Sequence, residues 1–306
     1  MEVAIMIEGQ NGLNWPRWQR IARAVEDLGF VGLYRSDHYT NANPPDKDSL
    51  ELWVSLTWLA GHTQRIEFGQ LVSPLSFRHP TMLARMGAAV DDLSNGRFTL
   101  GVGAGWQERE HTNYGWDLLD VPARFDRFAE GLEVISRLLH SDAPSAFAGD
   151  YYRLHDAILL PRPQRPGGPP LLIGGNGPRR TLPLAARFAH EWNGVFIAPE
   201  TYAERNALLD QLLVENGRAP GDVRRSLMVG CIFGRDEAEV ARKLAPRKRS
   251  ADEMRALGLA VGTGSAIVAQ IGQWQAAGAQ RIMLQWLDLD DLDGLEALAQ
   301  AVLPQV

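Results

Sequence analysis

Three clusters in this 306-residue chain have residue types and spacing that suit chemistry. Asp37 and His38 are adjacent, an acid beside the side chain whose ordinary pKa lies nearest neutrality. Such a histidine can hydrogen-bond a bound molecule and shuttle a proton. Glu110 and His111 form a second acid–histidine neighbour pair, to which the sequence assigns no role. The third cluster is Gly174-Gly175-Asn176-Gly177-Pro178-Arg179-Arg180. Its glycines let backbone amides approach an anion, and a helix opening near Pro178 would offer its positive end. The arginines add donors for a phosphate. A plain left-handed turn from strand to helix is the competing reading.

Other chemistries fit less well. Gly101-Val102-Gly103-Ala104-Gly105 has the spacing G-x-G-x-G rather than the dinucleotide-binding G-x-G-x-x-G, and no acidic residue ends a strand about 20 positions on. No G-x-S-x-G elbow and no H-E-x-x-H occur, and His190-Glu191 lacks a second histidine. A metal-dependent sugar isomerase or hydrolase, its ligands scattered along the chain, stays as an alternative; no metal site is expected. The lone Cys231 cannot form an intramolecular disulfide and sits in an apolar stretch that reads as core. Net charge is −6 with both signs interspersed, against a dedicated nucleic-acid or membrane surface. No apolar run approaches the roughly 18–20 residues of a membrane helix. The chain opens on a strand-like run without a basic leader, so a soluble, cytoplasmic protein is expected.

The elements that must position these groups alternate. Strand-like runs fall at Val3–Ile7, Val31–Tyr34, Ile66–Val72, Phe98–Gly103, Leu171–Ile173, Trp192–Ile197, Arg225–Phe233 and Gln280–Trp286. Helical patterns separate them, among them Trp15–Leu28, one capped by Ser49, and others opening at Pro178 and Pro199. Eight βα units favour a closed (β/α)8 TIM barrel, one domain over 1–306, with a Pro- and Gly-rich insertion near 141–168. Barrel active sites lie at the carboxyl ends of the strands. The residues to inspect are therefore Glu8 to Gln10, Ser36 to His38, Ser73 to Pro80, Gly103 to Trp106, the Gly174 loop and Asn193.

These strand ends, taken together, resemble the luciferase-like monooxygenase family, and most closely its deazaflavin-dependent branch. The matching pieces are Tyr34-Arg35-Ser36-Asp37-His38, Gln70-Leu71-Val72-Ser73-Pro74 with Arg78-His79-Pro80, and Leu93 to Phe98 running into Gly101 to Trp106. Ile173 to Gly177 and Ala189 to Asn193 continue the match. The resemblance implies a flavin-like ring in the barrel mouth, backed by a bulge on the third strand with a non-prolyl cis peptide at Leu71–Val72. It implies that Asp37 and His38 handle a proton beside the ring. Ser73, Gly103, Ala104, Gly105, Trp106 and Asn193 would border the cofactor, and Gly174, Gly175, Asn176, Gly177 and Arg180 would hold its phosphate.

The implied activity is hydride transfer between coenzyme F420 and a small organic substrate, by a homodimer. An FMN-dependent monooxygenase using oxygen is the alternative, and a non-catalytic flavin-binding protein the alternative of another class. Trp106 stands where sugar-phosphate dehydrogenases of the family carry glutamate, which argues against a glucose-6-phosphate-type substrate. The basic run Arg242-Lys243 to Arg247-Lys248-Arg249 reads as a solvated or mobile loop rather than a seat for the acidic tail of a deazaflavin, and Trp15 and Trp18 as helix packing rather than a substrate platform.

Overall fold

Eight parallel strands close on themselves in the computed structural model, which describes residues 1–306. They are β1 (Glu2–Ile7), β2 (Gly32–Arg35), β3 (Glu67–Gln70), β4 (Phe98–Gly103), β5 (Leu171–Gly174), β6 (Glu191–Val195), β7 (Arg224–Phe233) and β8 (Arg281–Gln285). Neighbours pair in chain order from β1 to β8, and β8 pairs back onto β1 to close the ring. The outer helices are α1 (Trp15–Leu28), α2 (Leu52–His62), α3 (Pro80–Leu93), α4 (Val121–His140), α5 (Thr181–Phe188), α6 (Pro199–Glu215), α7 (Gly264–Ala276) and α8 (Leu292–Val302). The chain is thus a (β/α)8 barrel. No helix is long and apolar enough to cross a membrane.

The strand alternation sorts side chains into two layers. Ala4, Met6, Tyr34, Leu172, Met228 and Met283 point inward and form a small apolar cluster with Leu71. The larger core, including Ile5, Leu33, Phe68 and Leu100, lies between strands and helices. Helix α1 shows how the sequence builds that layer. The Asn14 side chain accepts the Arg17 amide, Pro16 occupies the first turn, and Gly29 at φ 95° ends the helix. Its buried face is Trp18, Ile21, Ala22 and Val25.

A charged plug fills the amino-terminal end of the barrel. Glu2, Glu67, Glu191 and Arg281 are each the first residue of a strand. The Arg281 guanidinium is fully buried and lies 2.7 Å from Glu2, 2.6 Å from Glu67 and 3.5 Å from Glu191. It also donates to the Tyr34 hydroxyl at 2.6 Å.

Several expectations need correction. The third strand does not run from Ile66 to Val72: it stops at Gln70, the Leu71–Val72 bond is cis, and Ser73–Pro74 resumes pairing on β4. Helix α2 is capped by Glu51, whose carboxylate accepts the Val54 amide, while the Ser49 hydroxyl donates to the His38 carbonyl. Helix α5 begins at Thr181, not Pro178, because the Leu182 amide first closes a turn onto the Gly177 carbonyl. The insertion forms an antiparallel hairpin, Ser145–Ala148 with Arg153–Ala157. Its turn is tied down by the Glu130 carboxylate, which accepts the amides of Asp150, Tyr151 and Tyr152. An added strand at Ala260–Gly262 pairs with the outer end of β7.

Candidate active site

The carboxyl ends of β2, β3 and β4 bring the acid and histidine residues together in an order the sequence did not reveal. Asp37 and His38 are not paired, since consecutive residues of an extended segment point to opposite sides. Asp37 is buried and bound by Arg78 through both carboxylate oxygens, with the Ser73 hydroxyl donating to one of them. Arg78 also reaches Glu51 at 3.1 Å, at the head of α2. Asp37 thereby fastens the segment after β2 to the bulge after β3.

His38 takes its acid from elsewhere. Its Nδ1 lies 2.8 Å from Glu110 Oε1, and Glu110 Oε2 accepts the Tyr39 amide at 3.1 Å. Glu110 sits on the short helix Glu108–Tyr114 and is fully buried. Burial alone would make the imidazole less basic, but the hydrogen bond and charge of Glu110 override it and raise the His38 pKa above 6.5. Trp106 stands edge-on to His38, ring centres 5.5 Å apart, and is 61% exposed.

Glu110 and His111 do not pair either, because adjacent helical residues diverge. His111 is buried, with Nδ1 2.7 Å from the Gln107 carbonyl and Nε2 2.7 Å from the Ser76 hydroxyl. It joins the loop after β4 to the loop after β3.

The bulge explains two glycines. A Cβ on Gly103 would lie 2.6 Å from Val72 Cγ2, and one on Gly174 would lie 3.0 Å from Val72 Cγ1. Val72 thus occupies space that side chains on β4 and β5 would take. Beyond β5 the loop is fixed by its own contacts. The Asn176 side chain donates to the Val195 carbonyl at 2.7 Å and accepts the Val195 amide at 2.9 Å. The Trp192 indole donates to the Gly175 carbonyl, and Gly175 has φ 128°. The Asn176 and Gly177 amides find no backbone acceptor. Arg179 and Arg180 are exposed beside them, Arg180 standing over the Phe125 ring.

Asn193 is not past the end of its strand. It lies mid-way along β6, buried in the barrel, and donates to the Ser226 hydroxyl at 2.9 Å. Trp18 is buried, its indole donating to the Ser55 carbonyl. Cys231 is half-buried: it packs against the main core, as its apolar stretch suggests, and also borders hollows at the mouth. Burial pushes its thiol up to about 12 against the opposing pull of Lys243, which favours the protonated form near neutral pH. No three His, Cys, Asp or Glu side chains converge in a metal-ligating arrangement.

A (β/α)8 barrel with a cis bulge after β3, a carboxylate-bound histidine after β2 and a glycine loop after β5 defines a class of small-molecule enzymes. The luciferase-like monooxygenase model matches residues 1–257, and the chain belongs to that family. Among its relatives, 4-hydroxyprotoasukamycin monooxygenase of Streptomyces nodosus subsp. asukaensis is 37% identical over 162 residues, covering 53% of this chain and 42% of that protein. The F420-dependent glucose-6-phosphate dehydrogenase of Microbacterium testaceum is 31% identical over 238 residues, covering 75% of this chain and 68% of that one. An F420-dependent secondary alcohol dehydrogenase solved with an F420–acetone adduct superposes at TM-score 0.87. That match covers 100% of this chain and 99% of the other at 19% identity, and so speaks for the fold alone.

Proposed function

We propose that the chain is an oxidoreductase that uses coenzyme F420 to move a hydride to or from a small organic substrate. The main support is the break in the third strand at Leu71 and Val72, which forms a bulge above the apolar barrel interior on the same side as the carboxylate-bound His38. The residues fit such a group. Val72 seats against two glycines, and the Asn176 and Gly177 amides without backbone acceptors lie beside two exposed arginines. Leu71, Val72 and Ser73 would back the ring, Ala104, Gly105 and Trp106 would border it, and the Gly174–Gly177 loop with Arg180 would hold the phosphate.

When bound, the deazaflavin supplies a two-electron carrier that reacts poorly with oxygen. The protein supplies binding, orientation and proton handling. Glu110 holds Nδ1 of His38, leaving Nε2 as the nitrogen that gives or takes a proton. Asp37 keeps the bulge in place through Arg78 and Ser73. A sugar-phosphate substrate is not carried over from the dehydrogenase relatives, because the resemblance implies a glutamate where this chain has Trp106.

The monooxygenase relative favours a second reading, FMN with oxygen as co-substrate. Separate titration with F420 and with FMN decides between them. F420 binding with oxygen-independent turnover supports the first reading. FMN binding without F420 binding, together with oxygen uptake, overturns it.

A further inference from the structure

Four strands around the ring from the bulge stands β7. At its carboxyl end the inward positions Gly230 and Gln285 pair in register, one layer above Met228 and Met283. Over them open two adjoining hollows of about 360 and 310 Å³, which share Cys231, Ile232, Arg247 and Leu287. Gly230 lets Leu259 and Phe196 close onto the strand as apolar wall, since a Cβ there would lie 3.0 Å from Leu259 and 3.4 Å from Phe196. The inner hollow is walled by Phe196, Ile232, Leu257, Leu259 and Leu287. Phe196, Leu257 and Leu287 are 39%, 46% and 39% exposed. Scattered exposed apolar side chains are ordinary, but several converging on one concavity mark a ligand site.

Two polar features interrupt this wall. Lys243 and Arg247 are the cations lining the hollows. Lys243 is neutralised by Asp291 at 3.1 Å and Glu239 at 3.5 Å. Arg247 donates to the Lys243 carbonyl and forms no ion pair. Trp286, in the outer hollow, keeps a buried indole N–H without a partner. The one carboxylate in either lining, Asp288, belongs to the outer hollow and disfavours an anion there. An acid group is therefore best placed on Arg247, where the hollows meet.

We propose that these hollows form the substrate subsite and take an amphipathic anion, its apolar body on the Phe196–Leu257–Leu259–Leu287 wall and its acid group on Arg247. This names a substrate class for the hydride-transfer reading above and rests on it. An acidic cofactor tail would offer Arg247 the same charge, but it has no apolar body to cover the wall.

The test uses octanoate and octanol on the protein without added cofactor, by calorimetry and tryptophan fluorescence. F420 and FMN are titrated separately. Octanoate is expected to bind about tenfold more tightly than octanol, as a charge-assisted hydrogen bond gives. Arg247→Gln should erase that preference while leaving octanol binding intact, and Leu257→Glu should weaken both probes. Circular dichroism confirms that each variant is folded. The proposal fails if neither probe binds, if both bind equally to the unaltered protein, or if the preference survives Arg247→Gln. It also fails if Arg247→Gln weakens F420 but not octanoate, which would assign the cation to the cofactor. Probe binding needs neither cofactor nor turnover, so an error in the cofactor reading shows separately, in the F420 and FMN titrations.

Discussion

His38 Nδ1 lies 2.8 Å from the buried carboxylate of Glu110, 72 positions further along the chain. A buried imidazole without such a partner would be less basic than in water. Here Glu110 reverses the effect, and His38 is raised above its ordinary 6.5. Glu110→Gln should therefore lower the His38 pKa and move any activity limb that requires the imidazolium to lower pH. The sign also fixes a stability effect. The His38–Glu110 contribution is fully present below the unfolded-state pKa and is lost as pH rises through the raised folded value. Proton-detected titration of the His38 ring in both proteins checks this, and an unchanged pKa in Glu110→Gln would remove Glu110 from its positioning role.

Asp37 makes a different prediction from His38. Its carboxylate is buried and shared between Arg78 and Ser73. Removing one partner of a buried ion pair leaves the other charge uncompensated, at a cost of about 3–5 kcal/mol. Glu51 still faces Arg78, so Asp37→Ala belongs near the lower end of that range. Denaturant unfolding should show a loss of roughly 3 kcal/mol. His38→Ala leaves the buried Glu110 carboxylate with only the Tyr39 amide, so it should cost some stability as well, but its distinguishing effect is on turnover, which should fall much more than cofactor affinity. Unchanged turnover in His38→Ala would contradict this division of labour.

How much of this was legible in the sequence follows from the range of each interaction. The eight strands were readable because alternation within a strand is local. The cis bond at Leu71–Val72 came from resemblance, since nothing in the local residue types demands it. The partners of the acids were not legible. Asp37-His38 and Glu110-His111 are neighbours in the chain, but backbone geometry turns consecutive side chains apart. Each finds its partner across the mouth, Asp37 at Arg78 and His111 at Ser76. A helix opening just past the β4 strand end was the available signal for Glu110, because it must lie over the mouth. Asn193 is expected at the mouth although the strand-like run Trp192–Ile197 already contains it, and the structure sets it inside the barrel, mid-way along β6.

The two glycines around Val72 permit a coupled test. Gly103→Ala places a methyl group 2.6 Å from Val72 Cγ2 and must displace it. Overpacking of this kind costs about 1–3 kcal/mol. The same displacement should weaken cofactor binding if Val72 backs the ring. Adding Val72→Ala removes the clash, so the double variant should recover stability relative to Gly103→Ala alone. A double-mutant cycle on unfolding free energy and on cofactor affinity measures both couplings. Simple additivity would mean that Gly103 is small for a reason unrelated to Val72.

The amino-terminal plug gives the complementary expectation, that stability and chemistry separate along the barrel axis. Arg281 is fully buried among Glu2, Glu67, Glu191 and the Tyr34 hydroxyl, at the end of the barrel opposite His38. Arg281→Met keeps much of the volume but removes the cation that compensates Glu191, which is itself buried. The carboxyl of Glu191 is already raised by burial despite the attraction of Arg281, so its ionised form becomes harder to keep when that attraction is lost. The variant should lose about 3–5 kcal/mol of stability. It should lose less at mildly acidic pH, where Glu191 can take up a proton. Cofactor affinity of the folded fraction should be unchanged, because the Arg281 guanidinium pairs with Glu2, Glu67, Glu191 and the Tyr34 hydroxyl and bonds none of the residues of the bulge or the β5 loop. Unfolding curves at several pH values, with cofactor titration on the same samples, test both statements. A fall in affinity without a fall in stability would show that the two ends of the barrel are not independent.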